Sequence, residues 1–109
     1  MHMKLIIAIV SNDDSVTVTN ALMEKGYIVT RLATTGGFLR AGNTTLLLGT
    51  DDEKVPAAME IIKNESKRRE EVVPASSTFD IEHYSSFPIT VTVGGATIFV
   101  LDIEQFVKV

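Results

Sequence analysis

Two continuous apolar runs, Lys4–Val10 (KLIIAIV) and Thr44–Thr50 around Leu46-Leu47-Leu48, restrict this chain more than any other feature. Neither shows the polar alternation of a strand with one wet face, so each reads as a strand buried on both faces. A chain of 109 residues holds one core, so residues 1–109 form a single domain with both runs at the centre of one sheet. At this length roughly 65% of the unfolded surface is buried, enough to fold alone. A hydrophobic content of 45% beside 22% charged residues leaves apolar surface over for a subunit interface.

Helices are expected between the strands. Asn12-Asp13-Asp14-Ser15 offers several N-caps for a helix to about Lys25, with Val18, Ala21 and Leu22 on one face. Gly26 stands where a helix ends in the left-handed conformation. Tyr27 to Ala33 alternates loosely, as a half-exposed strand does. Thr50-Asp51-Asp52-Glu53 has capping-box spacing, and Val55, Ala58, Met59 and Ile62 mark the buried face of a second helix. Pro56 fits only its first turn. The charged stretch Lys63 to Glu71 reads as a solvated helix end.

A long mobile loop is expected over about 72–88, which holds Pro74, a serine-threonine cluster and Phe87-Pro88. Ile89, Val91 and Val93 alternate with Thr90 and Thr92 at a period of two. Gly94-Gly95 then reads as a hairpin turn, with Thr97 to Leu101 returning as its partner. Ile103 to Val109 forms a short amphipathic tail suited to packing on a neighbour. The expected fold class is α+β: a ferredoxin-like βαββαβ sandwich with an extra C-terminal hairpin strand. Right-handed crossovers put both helices on one face, and a trimer or dimer covers the other.

Several functions are excluded by residue type. A net charge of −4 does not suit a general nucleic-acid binder, whose affinity rests on phosphate neutralisation. No run reaches transmembrane length and no cysteine is present, so a cytoplasmic protein without membrane insertion is expected. His2 and His83 are isolated, one at the N-terminus and one in the long loop. Asp13-Asp14 and Asp51-Asp52 sit at helix starts, where capping and the macrodipole favour aspartate without any metal. The expectation is no catalytic residue, no metal site and no cofactor.

Leu32–Thr45, LATTGGFLRAGNTT, is the segment with ligand-holding chemistry. Glycine-freed backbone N–H groups make anion-binding concavities. Phe38 offers a stacking face worth ~1–3 kcal/mol per base, and Asn43 offers an amide that pairs two-pronged with adenine. The competing reading is structural: Gly36-Gly37 and Gly42 shape a hairpin while Phe38 fills an intersubunit gap. From the residues alone the two stand even.

The loop LATTGGFLRAGNTT, with VGGATIFVL at Val93–Leu101 and KLIIAIV at the start, resembles the PII-like cyclic-di-AMP receptor family. Glu104-Gln105-Phe106 is similar to that family's closing helix. The resemblance implies a PII-like homotrimer with three equivalent interfacial sites for cyclic di-AMP. By position it implies that Thr30 bonds the nucleotide, that Gly36, Gly37, Phe38 and Leu39 enclose an adenine and the phosphate ring, and that Asn43 and Gly49 read base or phosphodiester. Phe99 would come from a neighbouring subunit. Ile28 departs from the pattern, because many members carry an arginine there; Arg31, on the other face of the strand, is no substitute. A cation on the adenine would contribute ~0.5–2 kcal/mol. The long loop departs too, being short and lacking the usual glycine pair. The function implied is a signal-transduction protein relaying cyclic di-AMP to an unknown effector protein. The alternatives are a sensor of another adenine nucleotide, ATP or AMP, and a ligand-free trimeric interaction scaffold.

Overall fold

The computed structural model describes residues 2–32, 42–74 and 88–109. Within them run β1 (Met3–Ser11), α1 (Asn12–Glu24), β2 (Val29–Leu32), β3 (Asn43–Asp51), a 3-10 turn (Asp52–Lys54), α2 (Val55–Glu65), β4 (Arg69–Pro74), β5 (Pro88–Val93) and β6 (Ala96–Asp102). An antiparallel sheet in the order β2-β3-β1-β6 carries both helices on one face, the ferredoxin-like arrangement.

The two apolar runs do form the central pair, β1 with β3, in the register Ile6↔Leu48 and Ala8↔Leu46. Ile6, Ala8, Val10, Leu46 and Leu48 close against Val18 and Leu22 of α1 and Val55, Ala58 and Ile62 of α2, all buried. Met59, expected on that face, packs against the cluster while half-buried. Burial within the chain is one-sided, however. Leu5, Ile7, Ile9 and Leu47 alternate with the core residues and are only half-buried, because nothing in the described residues covers their face.

Local signals at the helix ends fare unevenly. α1 ends in a Schellman motif: Tyr27 N–H donates to Leu22 carbonyl (3.1 Å) and Gly26 N–H to Met23 carbonyl (3.0 Å), with Gly26 at φ +92°. Its N-cap is Ser11, whose hydroxyl accepts from Asp13 N–H at 3.2 Å; the cap therefore stands just before the Asn12–Ser15 cluster, not within it. No capping box forms at Thr50–Glu53, since Thr50 is buried in β3 opposite Lys4. Tyr27 instead donates its phenol to Lys54 carbonyl at 2.9 Å, tying the end of α1 to the start of α2.

The C-terminal strands differ from the expected hairpin. β6 pairs with β1 over Lys4–Val10, not with β5, so it supplies the sheet's fourth strand. Without it the apolar β1 would be an open edge. β5 pairs with β4 in a separate two-stranded ribbon, Arg69↔Val93 to Pro74↔Pro88. Arg69–Pro74 is thus strand, where a charged helix end and the start of a loop were expected; α2 already ends at Glu65. Gly94 (φ +88°) and Gly95 (φ +86°) lead from ribbon to sheet. Gly95 N–H donates to Ser66 carbonyl, and a Cβ on Gly94 would stand 2.4 Å from Lys67 carbonyl oxygen. Residues 103–109 form no helix, contrary to the closing helix that the resemblance implied at Glu104-Gln105-Phe106, although Ile103 N–H reaches Met3 carbonyl at 3.1 Å.

Candidate functional site

Cross-strand register decides which side chains share a face. On the face away from the helices lie Leu5, Ile7 and Ile9 of β1, Asn43, Thr45, Leu47 and Gly49 of β3, Thr30 of β2, and Phe99 and Leu101 of β6. The aromatic ring belongs to a residue 51% exposed, and Leu101 is 45% exposed. Arg31 pairs with Leu46 and so belongs to the helix side. It cannot join Thr30.

Thr30, Asn43, Gly49 and Phe99, assembled on the sequence from three separate segments, therefore share one face. They are not one cluster. Thr30 pairs with Leu47, which makes Gly49 its diagonal neighbour at roughly 7–8 Å. Asn43 lies six residues from Gly49 along β3, ~20 Å away. Gly36, Gly37, Phe38 and Leu39 lie outside the described residues, as do His83 and residues 75–87 of the long loop.

Gly49 stands in mid-strand, where glycine weakens pairing. Its own chain does not require it: an added Cβ would meet only Ile103 Cδ1 and Met3 Cε, each at 3.9 Å, and φ is not positive. Glycine within a strand goes with a bulge, a bend, or the close approach of a ligand or another backbone. Beside it opens a cavity of about 230 Å³ bordered by Ile28, Tyr27, Lys25, Lys54 and Asp51. Cavities that enclose drug-sized ligands reach ~300–1,000 Å³, so this one falls below that range. Ile28, an apolar residue, is 72% exposed at its rim.

Asn43 is set by the first turn of α1. Asn12 N–H donates to Gly42 carbonyl at 2.7 Å. Oriented to satisfy its neighbours, the Asn12 amide donates to Asn43 carbonyl (3.1 Å) and to Thr44 hydroxyl, and accepts from Gly42 N–H (3.2 Å). Gly42 at φ +118° turns the chain into β3 there. Sequence reasoning missed Asn12, whose only signal was its place among candidate caps.

Two ion pairs brace the surroundings. Lys4 and Asp102, directly opposite on β1 and β6, are hydrogen-bonded, and this bond holds the Asp102 carboxyl below its ordinary value. Arg69 grips the buried Asp14 with two nitrogens, Nη2 to Oδ1 at 2.8 Å and Nη1 to Oδ2 at 3.3 Å. The hydrogen bond to Asp14 is the main cause of the raised Arg69 pKa. Among the described residues, no three of His, Cys, Asp or Glu converge as metal ligands, and no helix is long and apolar enough to cross a membrane.

A functionally unknown protein from Pediococcus pentosaceus ATCC 25745 has a similar structure, with a TM-score of 0.77 and 40% identity over 100% of this chain and 99% of that one. A DUF3240 family protein from Shewanella baltica OS155 shares the fold, with a TM-score of 0.56 at 10% identity over 98% and 96% of the two chains. The family model described as cyclic-di-AMP receptor matches residues 3–109. With that match spanning nearly the whole chain, and the sheet, helices and open face all in place, the chain belongs to the cyclic-di-AMP receptor family.

Proposed function

We propose that this protein binds cyclic di-AMP without transforming it, in clefts completed by a neighbouring copy in a homotrimer, and passes occupancy to a protein partner through its loops. The observation that carries the reading is family membership over residues 3–109, joined to an open apolar face on which Thr30, Gly49 and Phe99 stand. Such a face exposes several large side chains to water, and a closed symmetric oligomer is the common way to bury it. In this reading Thr30 and Gly49 hold the nucleotide's polar backbone on one copy. The neighbour's Phe99 supplies the aromatic surface, and Gly36, Gly37, Phe38, Leu39 and Asn43 close over one adenine.

Calorimetry with cyclic di-AMP, ATP and AMP, on protein whose mass is measured by light scattering, tests the proposal. One cyclic di-AMP per interface of a trimer is expected, with the ligand recovered intact by chromatography. A monomer at working concentration, or no heat at millimolar ligand, overturns it. Ile28 favours a second reading, because an exposed apolar residue stands where the resemblance to the family implies a cation. Tighter binding of ATP or AMP than of cyclic di-AMP would select that reading.

A further inference from the structure

The first turn of α1 grips two distant parts of the chain. Asn12 holds the entry to β3 through Gly42, Asn43 and Thr44. Two residues on, Asp14 holds Arg69 at the root of the β4–β5 ribbon. Positions two apart on a helix differ by about 200°, so these side chains leave the same turn in opposite directions. The Asp14 side chain is only 7% exposed, and its two oxygens take the two terminal nitrogens of the guanidinium. Arg69 Nη1 also donates to the Lys67 carbonyl at 3.0 Å, which fixes the guanidinium to the ribbon's own root. Beside the backbone bond from Gly95 to Ser66 at the end of α2, Asp14–Arg69 ties the ribbon to the first turn of α1. The close passage of Gly94 under Lys67 leaves that root little room to adjust on its own.

We propose that Asn12 and Asp14 act as paired positioning residues that couple the end of the glycine loop to the β4–β5 ribbon through one rigid helical turn. Displacing Gly42–Thr44 shifts Asn12, and the turn carries Asp14 and Arg69 with it. The use of this coupling to report cyclic di-AMP rests on the proposed function; the coupling itself does not.

Amide hydrogen exchange on the full chain tests both parts separately. Without ligand, Arg69→Gln is expected to speed exchange of the Gly42 and Asn43 amides by about fivefold or more, the low end of a typical coupling. Arg69→Lys, which keeps the charge and loses the two-pronged grip, should fall between. Exchange at Ile6 and Ala8 in β1 stays at the wild-type rate in a folded variant. If those amides also accelerate, the reciprocal variant Asn12→Ala decides, read at Glu70–Val72. Faster exchange confined to the side of α1 that was mutated overturns the coupling. With cyclic di-AMP added, wild type is expected to slow exchange in both places, and Asp14→Asn only at Gly42–Thr44. Persistence of the ribbon effect in Asp14→Asn overturns the coupling, whereas absence of any ligand effect in wild type overturns the ligand reading.

Discussion

Thr30 of β2 and Phe99 of β6 stand at the two ends of one cross-strand row, joined through Leu47 and Ile7, on the face of the sheet away from the helices. Three strand spacings separate them, ~14 Å. Within one chain they flank a strip of leucine and isoleucine. They bracket a cleft only if a second copy folds its β6 toward the first copy's β2.

Complementation follows from that separation. Thr30→Ala and Phe99→Ala should each weaken cyclic-di-AMP binding, Phe99→Ala by roughly 10-fold or more if the ring stacks on a base. Refolding the two variants together in equal amounts should restore about a quarter of the sites, since only interfaces with both residues intact bind. Calorimetric stoichiometry measures this. If no sites return on mixing, the two residues do not serve one shared cleft.

Gly49→Ala should separate folding from recognition. The added methyl has space at 3.9 Å from Ile103 and Met3, so the chain should keep its stability to within ~0.5–1 kcal/mol. Ligand affinity should nevertheless fall about 10-fold or more, by loss of the close approach. Thermal unfolding and calorimetry on the same sample check the two halves.

Gly26 and Gly94, both at positive φ, should differ in the cost of replacement by alanine. Gly26→Ala meets nothing within 4 Å and bears only the strain of φ +92°, ~1–2 kcal/mol. Gly94→Ala adds a clash with the backbone carbonyl of Lys67 to a similar φ, so it should cost more, ~2–3 kcal/mol or above. Urea midpoints at equal slope give the comparison.

The Lys4–Asp102 pair predicts an acid limb in stability. Hydrogen bonding to Lys4, then its charge, lowers the Asp102 pKa in the folded state from the ordinary 3.8. Its contribution is therefore fully present above that value and is lost as pH falls through the lower folded value. Asp102→Asn should be less stable than wild type at neutral pH, and the gap should close only below pH 3.8. Urea unfolding from pH 7 down to pH 2.5 tests the sign; a gap that widens in acid would refute it.

Much of the helical layer was legible because its signals are local. Val18 and Leu22 on one helix, and Val55, Ala58 and Ile62 on the other, recur at helical spacing and all reach the core. Gly26 ends α1 by a conformation that its immediate neighbours demand. Arg69-Glu70-Glu71 was illegible as strand because its reasons lie far along the chain: β5 across the ribbon and Asp14 in α1. Gly94-Gly95 carried a true turn signal with the wrong consequence. Whether Ala96–Asp102 returns to β5 or crosses to β1 depends on which strand edge stands open, which no local pattern records.

By itself, then, the sequence determined the α+β class, the two central strands, both helix faces and the family, because periodicity and a glycine-rich signature are written in neighbouring residues. Only the tertiary structure decided that Thr30, Asn43, Gly49 and Phe99 share one face and that Asn12 and Asp14 grip opposite partners. It also showed that, among the described residues of one chain, the apolar runs are fully covered on the helix side and only half-covered on the other. Those relations are matters of register and of contacts between distant segments, and a one-residue slip in any strand would have reversed them.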